Sequence, residues 1–303
     1  MNLTWDDFAT GEPRSMTRDE LDRELSPSRL VASIDDELAR YAALSETARE
    51  EARAAGHLRE GLRYGDAPDE QIDLFRPAAQ APAPLLIYIH GGFWQMLSRR
   101  DSAFAAPGVV AAGGALAVVG YTLAPKATLH EIVEQVRAAV AWLYREAAAL
   151  GLDRDRFVIA GSSAGAHLAA MALATDWSAR ALPAQVIRSA CLVSGVYDLA
   201  AVRESYVNEP LQLSHDHVAS LSPLRLKPSH ACPTTIVFGD NETDEFKRES
   251  RLFVAHLQAH GHNVALQEIA RRHHFDVILD LDKSDTLLGH STLSHMGLAG
   301  PSS

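Results

Sequence analysis

Residues 157–165 read Phe-Val-Ile-Ala-Gly-Ser-Ser-Ala-Gly, an apolar run that ends in the pattern Gly-x-Ser-x-Gly. The run has the composition of a short buried strand, and the residues after the pattern favour a helix. A strand that turns abruptly into a helix holds Ser163 in a strained conformation, with its hydroxyl at the strand end. Gly161 and Gly165 leave room for strand and helix to pass in contact. This context predicts a nucleophilic serine, and a Gly/Ser turn without a role is the alternative.

Strands and helices alternate on both sides of this motif. Apolar runs predict strands at 85–89, 115–119, 157–160, 191–193, 235–238 and 264–269. Helical patterns lie between them, at about 128–150, 163–175 and 246–260. Such runs separated by helices are typical of a parallel sheet that is buried on both faces. Residues 62–64 and 72–75 flank a Gly/Asp/Pro turn and predict a hairpin.

These elements predict an α/β-hydrolase fold. Its central sheet should be mostly parallel, with an antiparallel N-terminal edge and helices on both faces. Before it, residues 1–60 are charged, and Thr17 and Ser33 are in position to cap two helices. We expect residues 1–60 to pack on the core or cover the active site, and residues 61–303 to form the catalytic domain.

Composition excludes several classes of protein. The 28 Lys and Arg against 39 Asp and Glu leave a formal net charge of −11 in 303 residues, which repels nucleic acid. No apolar run reaches the ~18 to 20 residues that span a bilayer. Residues 1–10 are acidic and lack an apolar core, so we expect no secretory signal and a cytoplasmic location. Cys191 and Cys232 adjoin apolar runs without metal-ligand spacing and should be buried free thiols.

The second chemical signal is His90-Gly91-Gly92-Phe93-Trp94, directly after the predicted strand 85–89. In this fold the loop at that place supplies backbone donors for a developing oxyanion, and glycines let the backbone approach closely. We expect Gly92 to be the main donor, with Gly91 and Phe93 beside it. The backbone N–H of Ala164, after the nucleophile, should complete the oxyanion hole. A strand-ending turn with two packed aromatic residues is the alternative.

A serine nucleophile needs a histidine base, and that histidine needs a carboxylate. The base should follow the last strand, where His273 and His274 lie. The acid should follow the strand 235–238, and residues 239–245 offer four carboxylates. The residues alone do not choose between these candidates. His215-Asp216-His217 resembles metal-ligand spacing but has no second cluster, so it predicts an exposed helix start and no metal site.

With these residues in place, the chain resembles the arylformamidases, or kynurenine formamidases, of the α/β-hydrolase type. The resemblance extends over nearly the whole chain. Its most specific part is the family signature H-G-G-x-W, matched by residues 90–94, and other matches are Tyr-Gly-Asp at 64–66, the run 163–171 and Ser-Gly-Val-Tyr-Asp-Leu at 194–199.

The resemblance implies a choice of base and acid. The family's histidine precedes a Phe, as His274 precedes Phe275 here, so His274 is implied as the base. The family's acid begins a D-S-P-E-F stretch, and Glu242 holds that position in Glu-Thr-Asp-Glu-Phe. This Glu departs from the family's Asp, which leaves Asp244 and Asp240 as alternatives.

The resemblance also implies a reaction, the hydrolysis of N-formyl-L-kynurenine to kynurenine and formate, without a metal or organic cofactor. His90, Phe93 and Trp94 should contact this small-molecule substrate, with Phe93 and Trp94 as an aromatic wall for its ring. A carboxylesterase of broad short-acyl specificity is the alternative. An inactive hydrolase scaffold that only binds ligands is a third hypothesis, disfavoured because Ser163 and His274 are both present. The sequence leaves a homodimer open.

Overall fold

The computed structural model describes residues 16–78 and 81–298. Residues 1–15, which include the acidic stretch 1–10, lie outside this part. Within it, eight strands form one sheet in the order β1-β2-β4-β3-β5-β6-β7-β8. The strands are β1 (Leu58–Arg63), β2 (Gln71–Phe75), β3 (Ala83–Ile89), β4 (Ala115–Val119), β5 (Leu152–Ser162), β6 (Ser189–Val193), β7 (Thr234–Asn241) and β8 (Val264–His273).

The α-helices of the same residues connect and flank these strands. They are Arg18–Glu24, Ile34–Ala54, Ala106–Ala111, Leu129–Leu150, Ala164–Leu173, Ala200–Glu204, Asn208–Leu211, His215–Leu221, Asp244–Ala259 and Leu287–His295. Short 3-10 turns lie at Pro27–Leu30, Arg99–Ser102, Ser178–Arg180, Pro223–Arg225 and Val277–Asp280.

The strand directions confirm the predicted fold class. β1 pairs with β2 and β2 with β4 in antiparallel fashion, whereas the pairs from β4 through β8 are all parallel. Because parallel strands end at the same edge, the loops after β3, β5, β7 and β8 meet there. Ligands of open α/β sheets bind at this carboxyl edge.

The core lies on both faces of the sheet, and alternate residues of β3 show this. Leu85, Ile87 and Ile89 pack into one apolar cluster with Leu129–Leu150 and Ala164–Leu173. Leu86 and Tyr88 pack into the other, with Tyr41 of Ile34–Ala54 and Leu288 of Leu287–His295. Both cysteines are buried and free, as predicted.

β8 differs from its prediction, because it continues past residue 269 to His273. The apolar pattern stops before Arg271 and Arg272, which made the strand look finished. β8 lies at the edge of the sheet and is largely exposed, so it needs no apolar side chains to continue. His273 therefore ends a strand, and His274 is the first residue after it.

The described part of the N-terminal segment packs against the sheet. Thr17 caps the helix Arg18–Glu24 in a reciprocal box with Glu20, and the Ser33 side chain accepts the N–H of Asp36 at the start of Ile34–Ala54. Tyr41 stacks on Phe104, with ring centroids 5.6 Å apart. Among the residues that the structure describes, no helix is both long and apolar enough to cross a membrane.

Candidate active site

Ser163 lies at the turn from β5 into the helix Ala164–Leu173. Its φ of 56° and ψ of −120° are strained for a residue with a side chain. The flanking glycines permit this turn, because a Cβ on Gly161 would collide with the Gly165 carbonyl and one on Gly165 with the Ile89 carbonyl. This confirms the close approach expected from the sequence. The Ser163 side chain borders a cavity at the carboxyl edge.

The loop after β3 faces Ser163 across this cavity. A Cβ on Gly91 would lie 2.8 Å from the Ser162 carbonyl oxygen and 3.2 Å from the Ser163 Cβ, so only glycine permits the approach. Gly92 and Phe93 follow with φ of +99° and 49°, both in the left-handed region. In the described part of the chain, no residue accepts a hydrogen bond from the backbone N–H of Gly92, Phe93 or Ala164. These three donors are available to a ligand.

His90 borders the cavity, whereas Trp94, at the other end of the same motif, is buried in the core. The His90 ring borders the cavity and stacks on Tyr121 at 4.2 Å, and its Nδ1 lies 2.9 Å from the Gly91 carbonyl oxygen. Burial lowers the pKa of His90 to about 4, so the imidazole is neutral near pH 7. Trp94 is fully buried and packs edge-on against His167 at 5.0 Å. Contrary to expectation, Trp94 does not line the cavity, whereas Phe93 does.

His274 and Glu242 form a buried pair beside Ser163. The His274 Nδ1 lies 2.9 Å from Glu242 Oε2, and the Glu242 side chain is fully buried. Phe246 packs against the His274 ring with centroids 4.4 Å apart. His274 and Ser163 border the same cavity, so the structure brings the three sequence-predicted residues together.

The other carboxylates of the 239–245 loop point elsewhere. Asp240 is exposed, and its Oδ1 accepts the backbone N–H of Arg272 at 3.2 Å. Asp244 is exposed at the first position of the helix Asp244–Ala259, and Glu245 pairs with Arg248 at 2.6 Å. Glu242 is therefore the carboxylate of this loop that reaches His274.

His273 also points away from Ser163. Its Nε2 lies 3.4 Å from Glu37 Oε1 on the N-terminal helix, and its Nδ1 lies 3.6 Å from Asp276 Oδ1. These contacts tie the end of β8 to the helix Ile34–Ala54. His273 thus has a structural environment, whereas His274 borders the cavity.

Two further groups fix Glu242, and the sequence analysis missed both. The Ser194 hydroxyl and the Gly239 backbone N–H each donate to Glu242 Oε1 at 2.6 Å. Ser194 is fully buried at the carboxyl end of β6 and has a φ of 49°. Its place directly after an apolar strand was the available signal. With Oε1 held by two donors, Oε2 is left to accept from His274.

The cavity has a volume of about 320 Å³, at the lower end of small-molecule pockets. Pro27, Ile34 and Leu38 of the N-terminal segment form part of its wall. Aromatic side chains form much of the remainder: Tyr41, Tyr88, Phe93, Phe104, Tyr206 and Phe275. The arrangement brings a serine hydroxyl, an imidazole and backbone N–H groups without a protein acceptor to one aromatic surface.

The described residues contain no cluster of metal ligands. Within residues 16–78 and 81–298, no group of three His, Cys, Asp or Glu side chains could hold an ion. The His215-Asp216-His217 stretch begins the helix His215–Leu221, and Ser214 caps that helix in a reciprocal box with His217. The prediction of a polar helix start is confirmed.

Known proteins are similar to this chain over almost its full length. The kynurenine formamidase of Danio rerio is 35% identical, over 94% of this chain and 98% of that protein. The chain belongs to the kynurenine formamidase family. A kynurenine formamidase of Salmo salar is 34% identical over 94% of this chain and 98% of that protein. A family model described as BD-FAE matches residues 72–257.

A solved structure extends the similarity to the fold. A thioesterase candidate from Silicibacter sp. is 27% identical, with a TM-score of 0.78 over 89% of this chain and 97% of that one. Membership of the kynurenine formamidase family identifies the chain as a hydrolase with the α/β-hydrolase fold.

Proposed function

We propose that this hydrolase cleaves N-formyl-L-kynurenine to kynurenine and formate. One observation carries the proposal: Ser163 and His274 border an aromatic cavity, and His274 is held by Glu242 at 2.9 Å. Two relatives that share almost the full length of the chain are named kynurenine formamidase, which supports the formamide as substrate. The aromatic lining suits the aryl ring of the leaving amine.

The reaction begins with acylation of Ser163. Its hydroxyl oxygen attacks the formyl carbon while His274 takes the hydroxyl proton. Glu242 accepts the hydrogen bond from Nδ1, which directs the other ring nitrogen to Ser163 and stabilises the imidazolium that forms. The oxyanion of the tetrahedral intermediate accepts from the backbone N–H groups of Gly92, Phe93 and Ala164.

The intermediate then collapses and the enzyme is regenerated. His274 gives its proton to the aniline nitrogen as the C–N bond breaks. Kynurenine then departs, and the formyl group remains on Ser163 as an ester. Water, deprotonated by His274, attacks this ester, and formate leaves as Ser163 recovers its proton. The proposal needs no metal or organic cofactor, because Ser163 supplies the nucleophile and His274 carries both proton transfers.

The proposal assigns residues 1–60 to an N-terminal segment, whose described part packs on the core and covers the active site, and residues 61–303 to the catalytic domain. Pro27, Ile34 and Leu38 support the cover, because they border the cavity that Ser163 faces. The proposal also places the enzyme in the cytoplasm, which fractionation would test. Sedimentation velocity would decide between a monomer and the homodimer that the sequence leaves open.

Steady-state kinetics on the purified protein test the substrate. We expect N-formyl-L-kynurenine to give a kcat/KM well above that of short-chain p-nitrophenyl esters. Efficient turnover of the esters with none of the formamide would favour a broad carboxylesterase. Turnover of neither substrate would indicate an inactive scaffold.

A further inference from the structure

The cavity wall carries an acidic side chain and no basic one among the described Asp, Glu, Lys and Arg residues. Among the described side chains that line the cavity, Asp35 is the one Asp, Glu, Lys or Arg. The remaining wall is formed by apolar and aromatic side chains, hydroxyls, glycines and the two histidines His90 and His274. The wall therefore offers a carboxylate to a ligand and offers no lysine or arginine to a ligand carboxylate.

The position of Asp35 relative to His274 is fixed by its helix. Asp35 lies in the first turn of Ile34–Ala54, beside the face on which Ile34, Leu38 and Tyr41 border the cavity. The Tyr41 hydroxyl donates to the backbone carbonyl of Phe275, the residue after His274. One end of the cavity thus holds the reacting groups, and Asp35 lies on a wall anchored to the same loop.

The Asp35 carboxylate is unpaired within the described residues, since it forms neither a hydrogen bond nor an ion pair. Glu37, two residues along the same helix, contacts His273 instead. Asp35 is exposed where it borders the cavity, so its carboxylate attracts a cation with the modest strength of a surface ion pair. It repels an anion to a similar degree.

We propose that Asp35 binds the ammonium group of the substrate, and that the enzyme selects N-formyl aryl amines with a cationic side chain. The carboxylate of an amino-acid substrate is then not a recognition element. This inference rests on the proposed function, and it extends the substrate class to decarboxylated analogues. Its chemistry is an ion pair that forms on binding and persists through the reaction.

The test uses three formamides with the same aryl group. These are N-formyl-L-kynurenine, its decarboxylated analogue, which keeps the ammonium, and its deaminated analogue, which keeps the carboxylate. Each is measured with the wild type, with Asp35→Asn and with Asp36→Asn. Asp36→Asn is the matched control, because it removes the same charge from the same helix turn at an equally exposed residue that does not line the cavity.

In the wild type we expect the two ammonium substrates to have similar kcat/KM values, both above that of the deaminated analogue. Asp35→Asn should lower kcat/KM for the ammonium substrates about fivefold, mostly through KM, because an ion pair of this kind is worth about a factor of five. The preference for ammonium over deaminated substrate should fall by the same factor. Asp36→Asn should keep the wild-type preference.

Two results would overturn the inference while leaving the proposed function in place. One is turnover of all three formamides by the wild type without a preference for the ammonium. The other is an equal preference in Asp35→Asn and Asp36→Asn. If the wild type hydrolyses p-nitrophenyl esters and none of the formamides, the proposed function fails and the substrate class fails with it.

Discussion

Two groups of buried polar side chains lie at different edges of the same sheet. At the antiparallel edge, Arg49 and Asp73 are fully buried with Arg49 Nη1 2.6 Å from Asp73 Oδ2, and Arg49 also pairs with Glu60. At the carboxyl edge, Glu242 is buried with His274 beside Ser163. Both groups carry charge into the protein, and both use hydrogen bonds to do so.

The two groups differ in what their atoms face. The Asp73 oxygens accept from Arg49 and from the Gly61 backbone N–H at 2.8 Å, so both oxygens of this carboxylate are hydrogen-bonded within the protein. In the other group the carboxylate is equally occupied, but His274 and Ser163 border the cavity. Removing one partner from a closed buried network leaves an uncompensated charge in the protein, whereas a network that ends at a cavity is available for chemistry. Breaking the first should reduce stability, and breaking the second should reduce turnover.

We expect the largest difference in turnover between two neighbouring residues at His274 and His273. His274→Ala should lower kcat by about ten-thousandfold or more, because the base and the nucleophile act as one unit. His273→Ala should lower it less than tenfold, since His273 contacts Glu37 and Asp276 and faces away from Ser163. Single-turnover and steady-state kinetics of both variants measure the difference. Equal losses would show that the proposed base is assigned to the wrong residue.

The acid should give the next largest effect. Glu242→Gln should lower kcat by about a thousandfold or more with little change in KM, because it removes tautomer control and imidazolium stabilisation. Asp244→Asn is the matched control on the same loop and should behave nearly like the wild type, because Asp244 is exposed. A severe loss in Asp244→Asn, with an active Glu242→Gln, would reverse the assignment of the acid.

These residues show how much of the molecule its sequence predicts. The elbow at Ser163 and the buried strands were predictable because strand, turn and helix are local patterns. The position after the last strand reduced the candidates for the base to His273 and His274, and the family resemblance favoured His274. Such conclusions need only chain order and local composition.

Contacts between distant segments were not predictable in the same way. Three carboxylates lie at 240, 242 and 244, and the family resemblance favoured Glu242 without excluding the other two. The fold shows that Glu242 reaches His274, which is 32 residues away. Ser194 is 48 residues from Glu242, and its hydrogen bond has no local pattern. Trp94 was placed at the substrate because it follows Phe93, yet the left-handed turn sends its ring into the core.

The antiparallel-edge group should show the opposite behaviour from the site. Asp73→Ala should lower the free energy of unfolding by about 3–5 kcal/mol, because it leaves Arg49 buried without its fully buried partner. The kcat of the remaining folded enzyme should stay near the wild-type value. Urea unfolding followed by circular dichroism, with kinetics on the same sample, tests both. The control is Glu60→Gln at the partly exposed end of the group, where the loss should be about 1 kcal/mol. A loss of kcat without a loss of stability in Asp73→Ala would contradict the distinction.

A smaller effect concerns a buried imidazole that does not face the site. Burial lowers the pKa of His167 to about 4, from about 6.5 in the unfolded chain. As the pH falls, the unfolded state therefore binds a proton to His167 before the folded state does. The free energy of unfolding then decreases steadily between about pH 6.5 and about pH 4. The slope is about 1.4 kcal/mol per pH unit for this one group.

Unfolding measured between pH 7 and pH 4 checks this slope. His167→Gln should flatten the pH dependence of the unfolding free energy, because the glutamine amide does not titrate. The amide can still donate to the Leu221 carbonyl oxygen, which accepts from His167 Nε2 at 2.8 Å in the wild type. His290→Gln at an exposed position should leave the curve unchanged. Parallel curves for the wild type and His167→Gln would show that His167 is not the source of the acid sensitivity.

The most direct test of the central claim is covalent labelling of the nucleophile. A fluorophosphonate reacts with the activated serine of a serine hydrolase and loses fluoride, and mass spectrometry of the digested protein locates the modified residue. We predict one label, on Ser163, that is absent from Ser163→Ala while that variant keeps the wild-type unfolding curve. Ser162→Ala should still be labelled at Ser163. A label on Ser162, or an unlabelled wild type, would contradict the assignment of Ser163 as the nucleophile.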